Sequence, residues 1–291
     1  MTAILEAHAA TVLFGLAGLF CKWIAAPALV VAGLRTAVAA ICLLGVVTLW
    51  PRLGVPPQST MQRPGRGNAL LAGLAGAILG VHWWMFFSAI QASTVAVALL
   101  AYSTAPGFVA ILEPLVHRQA PSPLALLAAG LVLSGVALMV PRWSWSEATA
   151  VGAAWGVGAG LLFAILMLLN RKLVPVYGPV RLSCYLNIGA SVVLLPFLPT
   201  AWVPLGAKDW ILVAVLGLGF TVVAHTLFTG SLRQLKAQTA SIISALEPVY
   251  GIIGAALLLG EVPTPRSLAG GAIIVATVLW ISTRELGAKN S

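Results

Sequence analysis

Charge is scarce in this chain. Of its 291 residues only 8% are charged, 60% are hydrophobic, and the mean hydropathy is +1.02. A soluble domain carries about 25% charged residues to solvate its surface. This chain cannot clothe a water-facing surface of its size, so lipid must cover part of it. The seven Asp and Glu residues are scattered, which excludes a clustered carboxylate metal site. The three cysteines, Cys21, Cys42 and Cys184, lie in or beside apolar stretches without CxxC spacing. That excludes a disulfide framework or a zinc site of the usual kind. No glycine-lysine phosphate loop is present, which removes direct nucleotide drive, and neither His-Glu-x-x-His nor Gly-x-Ser-x-Gly occurs. No cofactor or metal is expected. Positive charge at the start of the chain, Met1 to Glu6, is missing as well, so the first apolar segment reads as a retained helix and not as a signal peptide. The formal charge is +9. Its carriers stand singly between apolar segments with no stripe for phosphates, so they read as topogenic charge and no nucleic-acid partner is expected.

Long apolar runs are what the chain does have. A membrane-spanning helix needs roughly 20 mostly apolar residues. Such segments are read at 3–20, 29–49, 69–89, 94–116, 124–140, 150–169, 180–198, 210–230, 239–260 and 268–282, giving an all-α membrane protein with ten spans. Helix breakers and charges fall between them, most densely over 51–67. With the N-terminus in the cytoplasm, the inside segments hold Arg52, Arg63, Arg66, Arg118, Arg171, Lys172, Arg181, Arg233, Lys236, Arg284 and Lys289, against Lys22, Arg142, Lys208 and Arg266 outside. The asymmetry predicts that both termini are cytoplasmic. Trp23, Trp50, Trp143, Trp145, Trp202, Trp210 and Trp280 lie near predicted helix ends, as an interfacial aromatic belt requires.

The chain also repeats. A shift of 142 residues lays Pro106 on Pro248, Ile111 on Ile253, Leu115 on Leu257, and Pro121-Ser122-Pro123 on Pro263-Thr264-Pro265; Leu126 and Val136 fall on Leu268 and Val278. Two units follow, 1–145 and 146–291, each with five spans. Because five is odd, the second copy is inserted upside down, the architecture of many alternating-access transporters.

The stretch Ala237 to Ile281, with Glu247-Pro248, Leu259-Gly260-Glu261, Pro263-Thr264-Pro265 and a Gly-rich last segment, resembles the C-terminal EamA repeat of the drug/metabolite transporter superfamily. Arg35 in Leu34-Arg35-Thr36-Ala37 resembles that family's arginine in the second helix. Gln119, where the second repeat has Glu261, departs from the pattern. The resemblance implies export of small metabolites or drugs from the bacterial inner membrane, and similarity to the YddG-like exporters implies aromatic amino acids.

Ionisable groups inside a bilayer cost about 2.5–3.5 kcal/mol each on insertion scales and call for a reason. Glu247, mid-segment before Pro248, reads either as a cation or proton site facing a cavity or as a packing group paired with Arg35. Glu113-Pro114 repeats the dipeptide off register and ranks below it. His82 reads as a substrate hydrogen-bonding group beside Trp83 and Trp84, His225 as structural, and His8 as interfacial or packing. Trp155, Tyr102, Trp83, Trp84 and Phe163 are candidates for the wall of a cavity for flat apolar solutes. Gly152, Gly156 and Gly160 give the spacing for close helix contact. Ser244 lies one turn before Glu247, and Pro106 and Pro248 are candidate structural or coupling positions.

The leading expectation is therefore an exporter of small amphipathic metabolites, aromatic amino acids first, working by alternating access. A proton-coupled exporter of cationic compounds is the alternative, and a membrane-embedded enzyme with a Ser–His pair assembled in space is the rival from another class. A passive channel would show a continuous polar stripe, and none is seen. The expected partners are a small-molecule substrate and the lipid bilayer. Oligomeric state is left open.

Overall fold

The computed structural model describes residues 2–49, 65–116, 118–140, 142, 144–244 and 246–287. Trp50 and Trp143 of the expected belt, Lys289, His117 and most of the breaker-rich stretch 51–67 lie outside them. Lipid offers a backbone no hydrogen-bonding partner, so an apolar chain crossing it must satisfy its N–H and C=O groups within each helix. The elements found are α1 (Thr2–Trp23), α2 (Ala28–Leu49), α3 (Arg66–Ala92), α4 (Val95–Tyr102), α5 (Ala105–Val116), α6 (Pro123–Met139), α7 (Ala148–Tyr177), α8 (Pro179–Leu194), α9 (Leu198–Ala201), α10 (Ala207–Gly217), α11 (Ala224–Ser231), α12 (Ala237–Ser244), α13 (Glu247–Leu259) and α14 (Pro265–Gly287). Among the described residues there is no strand. Among the described residues, seven helical stretches are long and apolar enough to cross a membrane, among them α4 and α5 taken together and the run from α10 to α11; shorter apolar helices accompany them. Side chains such as Ile41, Leu70 and Leu257, each more than 70% exposed, form the outer surface. On a water-soluble protein they would be a liability, whereas here they meet acyl chains.

Several segments differ from the sequence reading in extent or regularity. Segment 150–169 ends eight residues late: α7 runs to Tyr177, so Arg171 and Lys172 lie on the helix and not in a loop. It stops at Gly178, whose φ of 72° suits glycine, and α8 begins at once with Pro179 in its first turn. Segment 180–198 tightens at Leu195–Phe197 before the single turn of α9. Segment 210–230 contains a widened π turn at Leu218–Val223.

The most consequential difference is in segments 94–116 and 239–260, neither of which is continuous. Ser103 and Thr104 separate α4 from α5, and Leu246, in a turn, stands between the end of α12 at Ser244 and the start of α13 at Glu247. The two interruptions share a register. Tyr102 and Ser244 end the first half-helices, Ala105 and Glu247 open the second, and Pro106 and Pro248 sit second in each, all 142 residues apart. Thr104 N bonds to Ala101 O, and Leu246 N to Ile243 O, the same i→i−3 closure at both sites. Proline explains why each helix restarts where it does, since a second-position proline lacks an N–H that would be unsatisfied anyway.

Helix approach is set by small residues. A Cβ on Gly76 of α3 would lie 2.8 Å from the Cα of Gly189 on α8, and one on Gly135 of α6 would lie 2.7 Å from the carbonyl oxygen of Gly270 on α14. α3 packs on α7 and α8, α1 on α11 and α13, α2 on α8, α4 and α5 on α7, and α6 on α14. With little hydrophobic force between helices in lipid, such backbone proximity and its dispersion contacts hold them together.

Candidate functional site

The buried middle of the bundle is aromatic. Phe14 from α1, His82, Trp83 and Phe86 from α3, Tyr102 from the end of α4, Phe163 from α7 and Glu247 from the start of α13 surround an interstitial space of about 200 Å³ that is nowhere wide enough for a water molecule. His225 and Phe228 of α11 close its flank: Phe14 stands 5.8 Å from each ring, and Phe163 lies 5.5 Å from Phe228. His82 lies against three of these rings, at 5.0 Å from Trp83, 5.8 Å from Tyr102 and, stacked, 5.5 Å from Phe163. Its Nδ1 donates to the carbonyl of Ala159 at 3.0 Å, because a carbonyl can only accept, and this leaves Nε2 as an acceptor. Offset and edge-on ring pairs of this kind contribute about 0.5–1.5 kcal/mol each beyond burial.

Glu247 opens α13 among these rings, 2% exposed. It is not in mid-helix as the sequence suggested, but at a helix N-terminus created by the interruption, where backbone N–H groups favour a carboxylate. Among the described residues its Oε2 has no hydrogen-bond partner, nor has Oγ of buried Ser244, the last residue of α12. The close approach of α1 fixes the backbone here, since a Cβ on Gly15 would lie 2.6 Å from the carbonyl oxygen of Glu247.

The pairing of Glu247 with Arg35 is not formed. Arg35 is fully buried on α2 and is held by neutral groups of the π turn. Nε donates to Thr221 Oγ1 at 2.8 Å, Nη2 donates to Phe220 O at 3.1 Å, and Thr221 Oγ1 passes its own proton to Leu216 O at 2.8 Å. The Phe220 carbonyl and the Thr221 hydroxyl of the widened turn thus hold the arginine without an acid. The guanidinium carbon lies 3.7 Å from the centre of the Trp83 ring. A desolvated cation–π contact of this kind is worth about 2 kcal/mol or more.

Of the residues picked from sequence, His82, Trp83, Tyr102, Phe163 and Glu247 line one space. Ser244 and Pro248 flank Glu247 in the chain, and Pro106 holds the matching place in α5. Trp155 is not in that wall. It pairs with Trp84 at 5.6 Å, part-buried beside it on the outside of the cluster. Its place seven residues into α7 permits either position, and only the packing of α3 decides. Ser241 is helical, in α12. Sequence reasoning missed Phe14, Phe228 and Thr221 altogether and took His225 for structure alone. The weak signal for Thr221 was its place just after Gly217 and Gly219 in an otherwise apolar run; Phe14 and Phe228 carried none.

Two ion pairs lie at opposite ends of the bundle, one at the start of α4 and the other near the end of α5. Lys22 Nζ is 3.3 Å from Glu261 Oε1 and donates to Ser93 O at 2.7 Å, while Glu261 Oε2 accepts from Val95 N at 2.8 Å. Arg171 Nη1 meets Glu113 Oε1 at 2.6 Å. Glu113 thus has a partner on α7 and no place in the aromatic space.

Apolar helices whose half-helices break around a closed, polar-tipped aromatic core define a multi-pass membrane transporter. The chain belongs to the EamA-like transporter family, whose model matches residues 1–140 and 150–283. An uncharacterized transporter of Archaeoglobus fulgidus is 32% identical over 201 residues, covering 69% of this chain and 71% of its own. The threonine/homoserine exporter RhtA of Salmonella typhimurium (strain LT2) is 25% identical over 213 residues, covering 70% of this chain and 68% of its own. A crystal structure shares the fold with a TM-score of 0.68 at 16% identity, over 97% of this chain and 98% of that one.

Proposed function

We propose that this protein exports small amphipathic amino acids, aromatic ones by preference, across a bacterial inner membrane by alternating access between two inverted five-span repeats, 1–145 and 146–291. Both termini lie in the cytoplasm. The observation that carries the reading is Glu247: a buried carboxylate with an unpartnered oxygen, at the tip of a half-helix, facing a space walled by aromatic rings. A carboxylate takes the amine of a substrate, and the rings take its apolar side chain by stacking and cation–π attraction.

The repeat reading is supported by the shared register of the two interruptions and by the packing. Under the 142-residue relation, the contact of α3 with α7 has its mate in that of α11 with α1, and α4–α5 against α7 has its mate in α13 against α1. Contacts α2–α8 and α6–α14 map onto themselves. The ion pairs join corresponding helices, one linking the end of α1 to Glu261 just past α13 and the other linking α7 to the end of α5, but the residues that form them are not 142 apart. An ion pair stands at each end of the bundle, and the space between is too narrow for water. Alternating access requires each end to open in turn around a fixed site. That one relative bears the name of a threonine/homoserine exporter supports an amino-acid substrate; the density of rings about Glu247 favours the aromatic members of that class.

The test is flux by purified protein in liposomes for tryptophan, phenylalanine, threonine and a cationic dye, each with and without a pH gradient. Saturable aromatic flux lost in Glu247→Gln is the expected result. A second reading, a proton-coupled exporter of organic cations, rests on the absence of any cation paired with Glu247 among the described residues. Dye movement driven by the pH gradient, with no aromatic flux, would establish it instead.

A further inference from the structure

Glu247 gives the core its acceptor; its donors are elsewhere. Arg35 Nη1, Trp83 Nε1 and His225 Nδ1 are buried without a hydrogen-bond partner among the described residues. They come from α2, α3 and α11 and are neighbours: the guanidinium carbon lies 3.7 Å from the Trp83 ring centre, and the Trp83 and His225 rings are 6.0 Å apart. Arg35 is 0%, and Trp83 and His225 each 4%, exposed. Buried polar groups in folded proteins almost always have partners, so three unmatched nitrogens at one place require an account. A guanidinium has five N–H donors. Thr221 and Phe220 take one each from Nε and Nη2, and both acceptors are neutral, so they fix the orientation of Arg35 without balancing its charge. Three N–H groups remain, the two of Nη1 and the second of Nη2, and Nη1 has no partner among the described residues.

From this we infer that Arg35, Trp83 and His225 form a carboxylate subsite, and that the transported molecule carries a carboxylate beside its amine, as a zwitterionic amino acid does and an organic cation does not. The inference rests on the amine reading of Glu247 given above. A planar, forked carboxylate matches a guanidinium edge, and its single charge is the charge one arginine balances. The indole N–H and the protonated Nδ1 tautomer of His225 supply further donors of the right kind. Trp83 lines the central space and also covers Arg35, so its ring stands where the carboxylate would come. The indole face shields the guanidinium; a bound carboxylate displaces that face and is met by the indole N–H. A zwitterion then neutralises Glu247 and Arg35 together, whereas a cation leaves Arg35 uncompensated.

The experiment compares acids with the amines that lack their carboxyl group. Phenylalanine against phenethylamine, and threonine against 1-aminopropan-2-ol, are titrated calorimetrically into the purified full-length protein in nanodiscs. The expected result is that the acid binds about tenfold to hundredfold more tightly than its amine, as a charge-assisted hydrogen bond to a buried partner implies. The ratio collapses toward one in Arg35→Gln, with amine affinity unchanged, and falls severalfold in His225→Phe, which keeps the ring against Phe14. Should Arg35→Gln not fold, the wild-type ratio and His225→Phe decide. Equal affinities for acid and amine in the wild type overturn the subsite while leaving an amine transporter. A carboxylate preference dependent on Arg35 for the threonine pair alone keeps the subsite and removes the aromatic assignment. Binding of none of the four overturns both.

Discussion

The two interrupted segments are built alike and equipped differently. The two breaks, before Ala105 and before Glu247, share an i→i−3 closure and a restart on a second-position proline. At the first, the polar side chains close on their own helix: Ser103 Oγ donates to Leu99 O at 2.9 Å and Thr104 Oγ1 to Ala101 O at 2.8 Å. The residue that opens the second half-helix there is Ala105. At the second, the corresponding residue is Glu247, and neither its Oε2 nor Ser244 Oγ has a partner among the described residues. The comparison teaches that a broken helix alone is only a backbone device. On the proposed reading, a self-satisfied break serves the fold and the break that leaves its polar groups unmet serves the substrate.

The largest effect that would sharpen this contrast is expected from charge. Glu247→Gln should lower amino-acid flux by about tenfold to hundredfold, the value of a charge-assisted bond, whereas Thr104→Val should change it by less than about threefold. Equal flux losses at the two breaks would erase the distinction. A middle-sized effect should come from the helices packed against each break. A Cβ on Gly15 would lie 2.6 Å from Glu247 O, and one on Gly160 would lie 2.7 Å from Thr104 Oγ1. Both Gly15→Ala and Gly160→Ala should destabilise by about 1–3 kcal/mol through overpacking, read as the melting transition in detergent. Only Gly15→Ala should also weaken substrate binding, because only it displaces the carboxylate; a matching loss in Gly160→Ala would break the comparison.

The smallest effect concerns the ends. Glu261 and Glu113 sit in part-exposed ion pairs, a setting worth about 0–1 kcal/mol. Glu261→Gln should cost more than Glu113→Gln, because Glu261 also accepts from the backbone N–H that starts α4. Thermal unfolding at low and high salt would separate the two, with the Glu113→Gln difference vanishing at high salt.

Much of this was legible before any coordinates. The membrane class followed from 8% charge, and the helical segments followed from apolar runs that lipid forces into internally bonded helices. Pro106 and Pro248 stood out by their 142-residue spacing, and Glu247 because an acid there is costly. The interruptions were not legible, since a proline inside an apolar run predicts a kink or a restart equally well. Nor was the π turn that binds Arg35, which depends on how α10 and α11 lie against α2.

The sequence by itself determined the solvent this protein folds in, which segments are helical and which residues are too polar to be there by accident. These are local properties, set by side-chain chemistry and the bilayer's refusal to hydrogen-bond. Tertiary structure alone decided which of those residues meet. It brought Phe14, Trp83, Phe163 and Glu247 to one space, placed Trp155 outside it, and kept Arg35 from Glu247. The physical reason is that helix rotation and approach are fixed by contacts such as Gly15 on Glu247 and Gly76 on Gly189. Those contacts join residues far apart in the chain, and no pattern along the chain encodes them.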